Sequence, residues 1–154
     1  MRRRTSTSTR VLPDGTPLQN RLLASLPTLD YNRIAQHLRV QTSVTGDMLH
    51  EEGRRIDDVY FPNGGVFSVT TRMRDGSLVE VATVGREGML GVGAFLGDRS
   101  GTGRTFLQVA DGTVAVIAVP PFVRETAASR TFGKVMALYA QATLLQTMQC
   151  AACN

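Results

Sequence analysis

Residues 59–84 read VYFPNGGVFSVTTRMRDGSLVEVATV, and this stretch decides the fold. Three short runs rich in β-branched and aromatic residues, Val59–Pro62, Val66–Arg72 and Leu78–Val84, are separated by Gly64-Gly65 and Asp75-Gly76. Asp-Gly between alternating runs predicts a hairpin, because glycine accepts the positive φ that tight turns require. Working outward, the same rhythm continues on both sides. Upstream lie Val40–Val44 and Met48–Glu51, broken by Gly46-Asp47 and ended by Gly53. Downstream, Thr105–Ala110 and Thr113–Val119 flank Asp111-Gly112. From Arg39 to Val119 the pattern predicts an antiparallel jelly-roll barrel or sandwich of about eight strands.

The flanks are helical. Asn20–Leu26 is a short apolar-periodic stretch, and Asp30 is placed to cap a helix over Tyr31–Leu38. Pro120-Pro121 closes the β region, a short helix follows over about 122–128, and a long helix starts near Ser129 or Arg130. From Val135 to Asn154 that helix carries no charged residue. Val135, Leu138, Ala142, Leu145 and Ala152 recur at three-four spacing with Gln149 interrupting, the seam expected where one helix packs along another. Phe132, Met136, Tyr139 and Met148 form a second row, so the helix is expected to be largely buried. A membrane span is disfavoured, because Gln141, Thr143, Gln146, Thr147, Gln149 and Asn154 would carry amides and hydroxyls into hydrocarbon. No glycine or proline stop signal follows, which predicts that the helix leads into a segment beyond this chain.

The chain has 154 residues, 42% of them hydrophobic, enough for one domain with a substantial core. Its net charge of +4 would suggest nucleic acid if it were spread over the fold. Instead Arg2, Arg3, Arg4 and Arg10, against Asp14 alone, place most of it in residues 1–18, which read as a disordered basic tail. The domain then covers 19–128, and the dimerisation helix 129–154. No apolar export core follows the arginines. Cys150 and Cys153 lack the further soft ligands of a metal site and read as reduced thiols of a cytoplasmic protein. A jelly-roll metalloenzyme needs clustered histidines, whereas only His37 and His50 occur. No nucleophilic triad can be assembled either, so no catalytic or metal residue is expected. Glu51 and Glu52 are adjacent on a strand and point to opposite faces.

Gly85, Gly88, Gly91, Gly93, Gly97, Gly101 and Gly103 hold about half of the chain's 15 glycines. Such density means sharp turns or close approach to the backbone. Gly91–Leu96 can form a short helical turn, and Arg104-Thr105 beyond it offers a guanidinium and a hydroxyl. Two readings stay open for Arg104: anion binding, or an ion pair with Asp98 or Asp111.

The order of elements, with Gly46-x-x-Leu49-x-Glu51-Glu52-Gly53, Val59-Tyr60-Phe61-Pro62-Asn63-Gly64-Gly65-Val66, Gly85-Arg86-Glu87-Gly88-Met89-Leu90-Gly91 and Arg104-Thr105, resembles the effector domain of Crp/Fnr-type transcription regulators over about residues 20–154. The ending Gln149-Cys150-Ala151-Ala152-Cys153-Asn154 is similar to a helix that leads, in one branch of that family, into a winged helix-turn-helix. The resemblance implies a cyclic-nucleotide-binding-like jelly roll that dimerises through its long helix. DNA would be contacted only through a domain absent from this chain. The implied phosphate cassette comprises Gly88, Gly91, Val92, Gly93, Arg104 and Thr105. Val92 stands where cyclic-nucleotide binders of the family carry a ribose-binding glutamate. Losing that acceptor should weaken cyclic AMP or GMP by roughly 1.5–3 kcal/mol. The expected function is effector sensing and dimerisation; the alternative is a ligand-free scaffold acting through protein contacts.

Overall fold

The structure, a computed structural model, describes residues 10–101 and 103–152, with side chains as far as Gln149. Its elements run α1 (Arg21–Ser25), α2 (Thr28–Ala35), β1 (Arg39–Ser43), β2 (Met48–His50), β3 (Asp58–Pro62), β4 (Val66–Arg72), β5 (Leu78–Val84), α3 (Val92–Phe95), β6 (Arg104–Val109), β7 (Gly112–Ala118), α4 (Val119–Ala128) and α5 (Arg130–Ala152). The described residues thus hold seven strands, not eight. They form two sheets, β1-β7-β3 and β2-β6-β4-β5, with no hydrogen-bonded closure into a barrel.

The Asp75-Gly76 hairpin forms as expected: β4 pairs with β5, Gly76 has φ +87°, and the Met73 amide donates to the Ser77 carbonyl at 2.8 Å. The Asp111-Gly112 turn does not join paired strands. β6 and β7 lie in opposite sheets, so this turn is a corner between them, and Ala110 beside it has φ +59°.

The sheets differ in what covers them. On β3 and β7, Val59, Phe61, Ala115 and Ile117 pack with the helices, whereas Tyr60, Val114 and Val116 face Phe67, Val84, Leu90 and Leu107 of the other layer. Burial on both faces explains why these two strands read as nearly continuous apolar runs. By contrast, β5 is an edge strand on which Leu78, Val79 and Glu80 are exposed.

Asn20 caps α1 through Oδ1, which accepts from the Leu23 amide at 3.1 Å. Its amide nitrogen donates to the carbonyls of Pro62 and Gly88, both at 2.9 Å, tying the N-terminal helix to the sheets. α2 begins at Thr28, three residues before the expected start. Pro27 takes the cap position with ψ 152°, and Asp30 falls in the first turn, where its charge favours the helix N-terminus. α4 also begins early, with the Pro120-Pro121 pair inside its first turn, where the missing amides cost no helical bond. The boundary of the basic tail at residue 18 is corrected as well. Arg10 donates to the Leu26 carbonyl at 2.6 Å and lies over the Tyr31 ring, Val11 bridges Pro17, and Leu12 is buried. Arg2, Arg3 and Arg4 lie outside the described residues.

Ser129 caps α5 by accepting from the Phe132 amide at 3.0 Å. Edge-to-face contacts Phe61–Phe122 and Phe122–Phe132 then root the helix through α4 onto β3. Phe132 and Met136 are fully buried, but Leu138, Leu144, Leu145 and Met148 are 52–60% exposed, so within one chain the helix is not largely buried.

Candidate functional site: a cavity between the open sheet, α3 and α5

A cavity of about 300 Å3 lies beside the β2-β6-β4-β5 sheet. Its sheet wall is Val69, Val81, Ala82, Val84 and Thr105; Leu90, Gly91, Val92 and Gly93 enter from the α3 side, and Tyr139, Thr143 and Thr147 from α5. Val81 and Ala82 both line it although they are consecutive. Val69 pairs with Ala82 and Thr70 with Glu80, leaving Val81 as a bulged extra residue.

Gly91 heads α3 in the left-handed region, φ +89°. A Cβ there would lie 3.4 Å from both the Asp58 carbonyl and His50 Cε1. After α3, Gly97 supplies a left-handed turn with φ +91°, whereas Gly101 and Gly103 serve close backbone approach. The loop is zipped onto the β2–β3 connection: the Gly53 amide donates to Gly101 at 2.8 Å, Gly101 to Arg54 at 3.0 Å, and Ile56 to Arg99 at 2.8 Å. A side chain at Gly101 would strike the Arg54 and Glu51 carbonyls, and one at Gly103 the Thr70 carbonyl.

Of the residues expected in a phosphate cassette, Gly91, Val92, Gly93 and Thr105 line the cavity; Gly88 and Arg104 do not. Gly88 makes room for α5, since a Cβ would sit 2.6 Å from the Tyr139 hydroxyl and 2.8 Å from Val84. Arg104 opens onto a separate trough with Met48, Glu51, Glu52 and Arg72, where Arg72 pairs with Glu52 at 3.1 Å. The cause is strand alternation: Thr105 turns inward against Val69 and His50, so its neighbour turns outward. Neither expected ion-pair partner of Arg104 is engaged with it. Asp98 accepts from Ser100 and Asp111 from Thr45.

His50, Tyr139, Thr143 and Thr147 are site residues that the cassette reading did not include. The last three recur at i, i+4 and i+8, one face of a helix, which is the signal that could have found them. The Tyr139 hydroxyl donates to the Met89 carbonyl at 3.0 Å, Thr143 to the Tyr139 carbonyl at 3.0 Å, and Thr147 to the Thr143 carbonyl at 2.9 Å. Burial raises the Tyr139 hydroxyl above its ordinary value. His50 Nε2 lies 3.1 Å from the Asp58 carbonyl, which can only accept, so Nε2 carries the proton and Nδ1 is the acceptor of the neutral ring. Burial lowers the His50 pKa below 6.5, against the opposing effect of the Asp58 contact. The exposed carboxyl of Asp98 is held below the ordinary carboxylate value by its bonds from the Ser100 hydroxyl and amide.

In the row expected to dimerise, Val135 is half-buried and Leu138, Ala142, Leu145 and Gln149 are exposed; the side chain of Ala152 lies outside those described. The described residues contain no cluster of three or more His, Cys, Asp or Glu able to hold a metal. None of the described helices is long and apolar enough to cross a membrane.

No family model and no curated protein matches the sequence. Solved structures do match. The N-terminal domain of a transcriptional regulator from Streptomyces coelicolor aligns with TM-score 0.61 and 17% identity, over 87% of this chain and 94% of that one. The c-di-GMP-responsive global regulator CLP of Xanthomonas campestris aligns with TM-score 0.69 and 14% identity, over 82% and 63%. The regulatory domain of Toxoplasma gondii PKA, crystallised with cAMP, aligns with TM-score 0.65 and 17% identity, over 80% and 45%. The chain thus spans less than two thirds of the length of the last two. The fold is that of the cyclic-nucleotide-binding domain, as found in transcription regulators and kinase regulatory subunits.

Proposed function

We propose that the chain is the effector-sensing and dimerisation module of a cytoplasmic Crp/Fnr-type transcription regulator, acting as a binding module rather than an enzyme. One observation carries the reading: a single helix, α5, supplies Tyr139, Thr143 and Thr147 to the cavity wall while Leu138 and Leu145 stand exposed on it. An occupant of the cavity would touch the same helix that a second copy would cover. Coupling requires that the occupant bind two arrangements of α5 with different affinity. DNA contact belongs to a domain outside this chain. The cyclic-nucleotide site is degenerate in this reading, since Val92 replaces the expected glutamate and Arg104 faces away from the cavity.

Sedimentation equilibrium over a concentration series tests the dimer. The natural chain is expected to be dimeric at micromolar concentration, and the double substitution Leu138→Glu with Leu145→Glu to be monomeric with unchanged far-ultraviolet circular dichroism. A natural chain that stays monomeric throughout would sink the dimerisation half of the reading.

A further inference from the structure

We infer that the cavity holds an uncharged, largely apolar small molecule that donates a hydrogen bond, and that it does not accept the phosphate of a cyclic nucleotide. The inference rests on the reading of this cavity as the effector site and names its ligand class. Much of the wall is aliphatic, with Val69, Val81, Ala82, Val84, Leu90 and Val92 among its residues. Among the described lining residues there is no lysine or arginine, and the one charged group is the Asp98 carboxylate. An anion entering would lose its hydration and find no cation, while facing a like charge.

The polar groups point the same way. Tyr139, Thr143 and Thr147 each direct their hydroxyl proton to a backbone carbonyl, so toward a ligand their oxygens remain as acceptors. His50 directs its proton to Asp58 and keeps Nδ1 as an acceptor, and Asp98 only accepts. Thr105 adds one hydroxyl that can donate, and the remaining side-chain groups offer acceptors, so the side-chain inventory is weighted toward acceptors. A phosphate, itself an acceptor, meets the wrong partners, whereas a phenol, alcohol or N–H group completes them. The position of the cavity walls on α5 makes such a ligand a direct neighbour of the exposed apolar row.

Three probes that share one aromatic body separate charge from hydrogen bonding: 2-naphthol, 2-methoxynaphthalene and 2-naphthyl phosphate, with cyclic AMP beside them. They would be titrated by calorimetry into the purified 154-residue chain. 2-Naphthol is expected to bind, 2-methoxynaphthalene to bind roughly five- to tenfold more weakly for want of the donor, and both phosphates to give no heat. Ala82→Trp, which fills the cavity, should abolish naphthol binding. Thr143→Val, a milder change that guards against misfolding of the tryptophan variant, should weaken naphthol several-fold and leave the methyl ether unchanged. Tighter binding of either phosphate, equal binding of naphthol and its ether, absence of naphthol binding, or binding that survives in a folded Ala82→Trp protein would each overturn the inference. Sedimentation of the same samples keeps the two readings apart. A monomer that binds naphthol with this selectivity breaks the dimer reading and leaves the ligand class standing; a dimer that prefers phosphates does the reverse.

Discussion

The two sides of strand β6 differ in kind, although Arg104 and Thr105 are neighbours in the chain. Inside, Thr105 joins a cavity of aliphatic side chains and acceptor oxygens, with Leu107 fully buried a little further along the strand. Outside, Arg104 shares an open trough with Glu51, Glu52 and Arg72, where charges meet their opposites in water. The difference teaches that a residue pair matching a binding motif can be divided by the pleat of the strand that carries it. A guanidinium one residue from the cavity wall is on the far side of the sheet.

The contrast can be broken most strongly from within. Leu107→Ala leaves a void between the two sheets, where Phe67, Val84 and Val114 belong to the same cluster, and should destabilise the domain by about 2–5 kcal/mol in urea titration. A loss below about 1 kcal/mol would mean that the inner layer is loosely packed and the cavity walls poorly defined.

His50 sharpens the comparison through pH. Its folded-state pKa lies below 6.5, so the unfolded chain takes up the proton first as pH falls. Its contribution to pH dependence is therefore nil well above pH 6.5. Below that value it lowers stability as acid is added, until the folded state also protonates. The slope from this single group cannot exceed about 1.4 kcal/mol per pH unit. His50→Gln, which keeps a donor for the Asp58 carbonyl, should flatten the stability curve below pH 6.5 and leave its neutral limb in place. An unchanged acid limb would show that the ring is hydrated in the folded state.

The smallest effect belongs to the outer side. Arg104→Ala should change stability by no more than about 0.5 kcal/mol, and should leave 2-naphthol binding unaltered in the same calorimetric titration. A large loss of ligand affinity on that substitution would place the guanidinium in the cavity and reverse the comparison.

Much of the fold was legible because it depends on local chemistry. Asp75-Gly76 declares a hairpin by the conformation its glycine accepts, and the long helix starts where its pattern placed it, beside Ser129. The candidate site was legible only in part. Gly91, Val92, Gly93 and Thr105 line the cavity, but strand alternation sets Arg104 and Thr105 on opposite faces and turns the arginine away from it. Tyr139, Thr143 and Thr147 carried only a helical spacing, which specifies a common face without saying what that face meets.

The sequence by itself determined the order of strands and helices, the Asp75-Gly76 hairpin, the glycine-dense connection and the chargeless long helix, since each follows from side-chain size, polarity or backbone freedom within a few residues. Tertiary structure alone decided that the corner at Asp111-Gly112 crosses between sheets and that Arg10–Leu18 packs against the domain. It also decided that Gly101 and Gly103 admit crossing backbones and that the cavity draws polar groups from α5, β2, β6 and the loop after α3. Those outcomes depend on contacts between residues distant in sequence, whose partners no local pattern specifies.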